Sequence, residues 1–231
     1  MALWAGALVG IFFGLSQKAV ARFMAFGSGV LICALTFGLM EEAFSHGGFD
    51  AVIIGFLMGG VVFILGDYVI HLQGGRRHRR RQIIEVQKET NGKVIAMGAL
   101  LDGIPESVAL GIALFSGRGR GLLMLVAIAL SNFPESISSI SGLRKEKFSR
   151  RQIFVLWGVV GFLCFLFTVL SYVFLRHLDL NSVGILEAFA AGAILAMLAN
   201  SMMPEAYEEA GFSIGLMTVL GFLTAFILSR F

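Results

Sequence analysis

Two short stretches set carboxylates beside prolines in otherwise apolar surroundings: Asp102-Gly-Ile-Pro-Glu-Ser107 and Ser131-Asn-Phe-Pro-Glu-Ser136. Asp102 and Glu106 stand at i and i+4, so on a helix they share a face. Ser131 and Glu135 repeat that spacing, with Asn132 beside them. Pro105 and Pro134 lack an N–H, so each releases a carbonyl one turn back, at Leu101 and Leu130, and kinks its helix. The set is oxygen-rich, without sulfur or imidazole, and suits hard divalent cations such as Mg²⁺, Mn²⁺ and Ca²⁺. Zn²⁺ and Fe²⁺ also accept carboxylates, usually with histidine nearby. Asp102, Glu106, Ser131, Asn132 and Glu135 are therefore the candidate metal ligands. The ion is read as substrate, with Zn²⁺, Mn²⁺, Fe²⁺ or a similar ion left open.

The elements that must position these residues follow from composition. Of 231 residues, 57% are hydrophobic, and 29 glycines raise the apolar share to about 70%, well above a soluble domain. Charged residues make up 14% and mean hydropathy is +0.86. These values exclude a soluble enzyme, a disordered chain and a nucleic-acid-binding module, so the pI near 9.1 is read against a bilayer. Eight apolar stretches could cross it: 2–16, 23–44, 50–72, 93–115, 121–142, 152–175, 184–207 and 212–230. The runs are continuous and do not alternate, which argues for helices over a barrel. The expected fold is an all-α integral membrane protein of eight transmembrane helices, one domain over 1–231, with a basic loop at about 73–92. Of the 18 Lys and Arg residues, 14 fall in the loops after the first, third and fifth spans. Those loops are expected in the cytoplasm and both termini outside it, with the cell membrane as the location. The segment Leu3–Leu15 has no basic run before it and is read as a retained first helix. Cys33 and Cys164 lie in apolar runs and are read as packing residues.

The sequence also repeats itself. Pro-Glu-Ser recurs at an offset of 29 in spans four and five. Gly29-Val-Leu-Ile with Glu42-Ala-Phe44 recurs as Gly192-Ala-Ile-Leu with Glu205-Ala-Tyr207, at an offset of 163. Both matches join helices expected to run in opposite directions, as in inverted-topology repeats whose site lies near the midplane. The arrangement expected is 3+2+3.

Asp102, Glu106 and Glu135 fall well inside spans that hold no Lys or Arg at depth. A charge there costs roughly 2.5–3.5 kcal/mol to insert, so three carboxylates call for a cation, protons or water. At these residues the chain resembles the ZIP (Zrt-, Irt-like) family of divalent metal transporters. Its members have eight helices, outward termini and a variable cytoplasmic loop between helices three and four. Asp102-Gly103-Ile104-Pro105-Glu106-Ser107 fits the family's helix-four His-Asn-x-Pro-Glu-Gly pattern, and Ser131-Asn132-Phe133-Pro134-Glu135 its helix-five pattern. Asp102 stands where the histidine usually stands, Gly103 where the asparagine does, and Ser131 replaces another histidine. Asn200-Ser201 precede Met202-Met203-Pro204-Glu205, where helix seven often reads His-Glu. The resemblance implies metal transport toward the cytosol and no enzymatic activity.

Peripheral residues supply further candidates. Glu41, Glu42 and His46 near the outer surface could form an entrance funnel, and Asp67, His71 and Glu205 an exit on the cytoplasmic side. Alternatives are a proton- or Na⁺-linked carrier using the same carboxylates as a relay, and a membrane protein that holds a cation without moving it. The expected partners are the ion and the lipid bilayer, with a homodimer as an assembly to test.

Overall fold

The computed structural model describes residues 2–13, 15–72, 92–145 and 147–230. The basic run Arg76–Arg81, and the loop around it up to residue 91, lie outside the described residues. Among the described residues the order is α1 (Ala2–Phe12), α2 (Gln17–Ala34), α3 (Glu41–Leu72), α4 (Gly92–Ser116), α5 (Arg118–Lys145), α6 (Arg150–Leu175), α7 (Leu180–Met197), α8 (Met203–Ala210) and α9 (Ser213–Leu228). Short π-helical turns, Leu35–Met40 and Leu198–Met202, join α2 to α3 and α7 to α8. Five stretches are long and apolar enough to cross a membrane: Gln17–Ile70, Met97–Ser116, Gly121–Arg144, Arg150–His177 and Leu180–Ala210. Helices α1 and α9 are apolar but shorter.

Each expected span meets a helix, and the boundaries differ where local chemistry intervenes. The first helix ends at Phe12 and not near residue 16. Ser16 is extended and its hydroxyl accepts from the Ala19 amide, so it caps α2 and the chain must turn before it. Ser149 starts α6 in the same way, with a reciprocal capping box to Gln152. Arg144 reaches from α5 to the Ile11 carbonyl at 2.6 Å, setting a cation at the C-terminal end of α1.

Close helix pairing comes from glycine. A Cβ on Gly59 of α3 would lie 2.0 Å from the Phe189 carbonyl oxygen of α7, and one on Gly192 would lie 2.1 Å from that of Phe56. On the opposite pair, Gly29 of α2 meets Thr218 of α9 and Gly221 meets Phe26, each carbonyl at 2.0 Å from the added carbon. Only the absence of a side chain lets these backbones touch. Helix α1 lies on α5 through Gly6, and α4 lies on α6 through Gly111. The larger core gathers Leu31, Leu39, Ile112, Met124, Ile194 and Met197. A smaller one gathers Leu3, Ile140, Ile153 and Trp157 between α1, α5 and α6.

The faint sequence repeat has a backbone counterpart. The π-helical turn at Leu35 recurs at Leu198, 163 residues later. Gly48, a kink with φ 64° and ψ −161°, recurs as Gly211 with φ 60° and ψ −145°. Both angles lie in a region where glycine is favoured. The same irregularities at the same offset in α2–α3 and α7–α8 are hard to attribute to the short sequence match alone. They are matched by the packing, since the glycine pair Gly29 and Gly192 seats each half on a partner helix.

Candidate metal site

The prolines sit inside α4 and α5, and the helices continue through them. That places Glu106 and Glu135 one residue after each proline, on two helices packed against each other. Glu106 is 2% exposed. The Ser131 hydroxyl donates to its Oε1 at 2.9 Å, and the Asn132 amide donates to its Oε2 in a short contact. Ser131 is fully buried and Asn132 nearly so. The second amide proton of Asn132 goes to the Ile128 carbonyl at 3.0 Å, which braces the side chain against its own helix. Glu135 is half-buried and lies within electrostatic range of Asp102, Glu106 and Glu205. The five residues singled out from sequence therefore converge at the α4–α5 contact, with Asp102 half-buried at its edge.

Glu205 joins this centre from α8. The Ser138 hydroxyl, one turn beyond Glu135 on α5, donates to its Oε1. Asp67 lies on α3, where the adjacent Gly66 rests on Leu101 of α4. The His71 side chain lies outside the described residues. Among the described residues, no group of three or more His, Cys, Asp or Glu side chains is close enough to hold a metal ion as it stands. Both oxygens of Glu106 are instead engaged by hydrogen-bond donors.

Two neighbours were not legible as site residues. Gly103 lets α6 approach, because a Cβ there would lie 2.7 Å from Cys164 Sγ. The Cys164 thiol lies near Ser107 and within electrostatic range of Glu106 and Glu135. Its expected role as a packing residue thus covers only part of its surroundings, whereas Cys33 is buried in the apolar core as expected. No spacing rule links residues 103 and 164, so only packing could reveal the pair.

The group expected at the entrance has a further neighbour. His46 Nδ1 lies 2.9 Å from Oε2 of Glu187, a fully buried residue of α7. Glu42 is buried at 6% exposure, while Glu41 points to the exterior. Glu187 is a further acid inside an apolar stretch, outside the two Pro-Glu motifs. Its signal was present, since it interrupts the run Val183–Ala193 with the sole charge there.

Comparison with known proteins agrees with this picture. Residues 71–229 match the profile of the family described as ZIP Zinc transporter. The chain is similar to an Arabidopsis thaliana protein described as "Putative zinc transporter At3g08650", with 24% identity over 198 residues. The match covers 79% of this chain and 29% of that relative, so the chain spans less than a third of its length. With more than half of its residues matched, and paired Pro-Glu helices inside an apolar bundle, the chain belongs to the ZIP family.

Proposed function

We propose that this protein carries divalent metal ions across a membrane toward the cytosol, through a carboxylate site at the α4–α5 contact. The observation that supports it most is that Glu135 of α5 lies within electrostatic range of Glu106 and Asp102 of α4, with no Lys or Arg in the sequence between residues 97 and 143 apart from Arg118 and Arg120 at the start of α5. Carboxylates gathered inside an apolar bundle attract cations, and a bound cation offsets their charge. Glu106 and Glu135 supply the charge and Asp102 the edge of the site. Oxygen donors favour hard divalents over the usual histidine-bearing sites of the family. The ion would enter past Glu42, His46 and Glu187, with Glu41 at the rim, and leave past Glu205, Asp67 and His71. The arrangement is a single 3+2+3 domain with matched outer helices around α4 and α5, in the cell membrane, termini outside. A homodimer is one assembly compatible with it.

Metal-dependent uptake into proteoliposomes tests the function. Wild-type vesicles should accumulate Zn²⁺ or Mn²⁺, and Glu106→Gln and Glu135→Gln vesicles should not. Uptake driven by Na⁺ or protons without any divalent ion would instead support the relay reading. Binding without uptake would support a structural cation site.

A further inference from the structure

Ser131 and Asn132 are consecutive residues of α5, and they reach the two oxygens of one carboxylate on α4. An ion shared by Glu106 and Glu135 must lie between those same helices. The donors therefore point into the space the ion needs, and a positively polarised N–H or O–H repels a dication at close range. Asn132 is held in this role by its second proton on Ile128. An ionised carboxylate at this position has no proton to donate and could not make the same contact.

From this geometry we infer that Ser131 and Asn132 form a clamp that holds and solvates the Glu106 carboxylate when the carrier crosses without its ion. A carrier that delivers ions in net fashion must return with its carboxylates unloaded. Bare buried carboxylates make that return slow, because a buried charge without partners is strongly disfavoured. Two donors on Glu106 substitute for the ion and are released when the ion takes their place. The clamp rests on the proposed ion site at Glu106 and Glu135. It makes Ser131 and Asn132 positioning residues whose hydrogen bonds compete with the substrate, in contrast to a role as ligands.

The two roles predict opposite changes in affinity. Loss of a ligand weakens binding. Loss of a clamp destabilises the unloaded protein and so tightens binding, by the linkage between the two states. Ser131→Ala and Asn132→Leu should be purified, checked for folding by thermal melts, and titrated with Zn²⁺ by calorimetry. In proteoliposomes, net Zn²⁺ uptake into empty vesicles should be compared with exchange of labelled Zn²⁺ against internal Zn²⁺, which needs no unloaded return. A lost hydrogen bond to a charged group corresponds to about tenfold or more. The expected result is Zn²⁺ binding about tenfold tighter, with net uptake falling about tenfold further than exchange. Weaker Zn²⁺ binding in the folded variants would overturn the clamp and make these residues ligands or supports of ligands. Unchanged affinity with an unchanged ratio of net uptake to exchange would overturn it as well. Should Ser131→Ala not fold, Asn132→Leu carries the same test alone. Glu106→Gln separates the two levels of the argument: if it still binds Zn²⁺ normally, the ion site itself is wrong, whatever Ser131→Ala does.

Discussion

Glu106 and Glu135 carry the charge of the proposed site, and each can be made neutral without changing its shape. Glu106→Gln and Glu135→Gln should each abolish or strongly weaken metal binding while the protein stays folded, and Glu135→Gln should keep equal or higher thermal stability once a buried charge is gone. Asp102→Asn should be milder, because Asp102 is at the edge of the cluster and both glutamates remain. Calorimetry paired with thermal melts reads both effects. If both glutamine variants bind as the wild type does, the His46–Glu187 cluster is the next place to look. Ligand type also bears on the ion: with Asp102 in place of histidine, Mn²⁺ should inhibit Zn²⁺ uptake at concentrations near those of Zn²⁺ itself. A thousandfold preference for Zn²⁺ or Cd²⁺ in such competition would contradict the oxygen-donor site. At the outer cluster, His46→Ala removes the partner 2.9 Å from buried Glu187 and should cost about 1.5–3 kcal/mol, read as a lower melting temperature in detergent.

Helix pairing and helix ends carry the next set of consequences. Gly59→Ala would drive a methyl carbon to within 2.0 Å of the Phe189 carbonyl, so α3 and α7 would have to separate. Such overpacking typically costs about 1–3 kcal/mol, and here the neighbour is backbone and cannot swing aside. Gly161→Ala on α6 meets nothing within 4 Å and should be neutral or stabilising by about 0.5–1 kcal/mol. Thermal unfolding of the pair separates close packing from glycine's general cost; equal losses in both variants would remove the packing explanation. The start of α7 is sensitive to acid. Asp179 caps it by accepting from the Ser182 hydroxyl and amide, which hold its carboxyl below the usual range. A depressed folded pKa contributes stability above the unfolded value near 4 and loses it as pH falls below that. Melts between pH 6 and pH 3 should therefore show an acid-side loss that shrinks in Asp179→Asn.

Topology belongs to the whole molecule. With 14 of 18 basic residues in the loops after the first, third and fifth spans, the run Arg76–Arg81 should face the cytoplasm. On a background lacking Cys33 and Cys164, a cysteine at residue 78 should resist an impermeant thiol reagent in intact cells, and one at residue 118 should react. The reverse labelling pattern would invert the orientation and with it the direction proposed for transport. The repeated irregularities at Leu35 and Leu198, and at Gly48 and Gly211, fit a molecule whose outer helices come in two matched sets. π-Helical turns are frequent at functional positions and allow local shifts along a helix. Here they flank the segments that carry Glu42 and Glu205.

Sequence by itself determined the class of fold, the helical stretches and the two central helices, because apolar length and proline position are properties of local chain. It also determined that Asp102 and Glu106 share a face, since i and i+4 spacing is fixed by helix geometry. The faint 163-residue repeat was visible but short, and the backbone at Gly48 and Gly211 added to it what a few matching letters could not. Only the tertiary structure decided which side chains meet across helices. It joined His46 to Glu187, Glu205 to Ser138, and Cys164 to the gap at Gly103. It also turned Ser131 and Asn132 toward Glu106. Those contacts depend on crossing angle and on glycine-mediated approach between segments distant in the chain, and a helix face read alone does not specify the face opposite it.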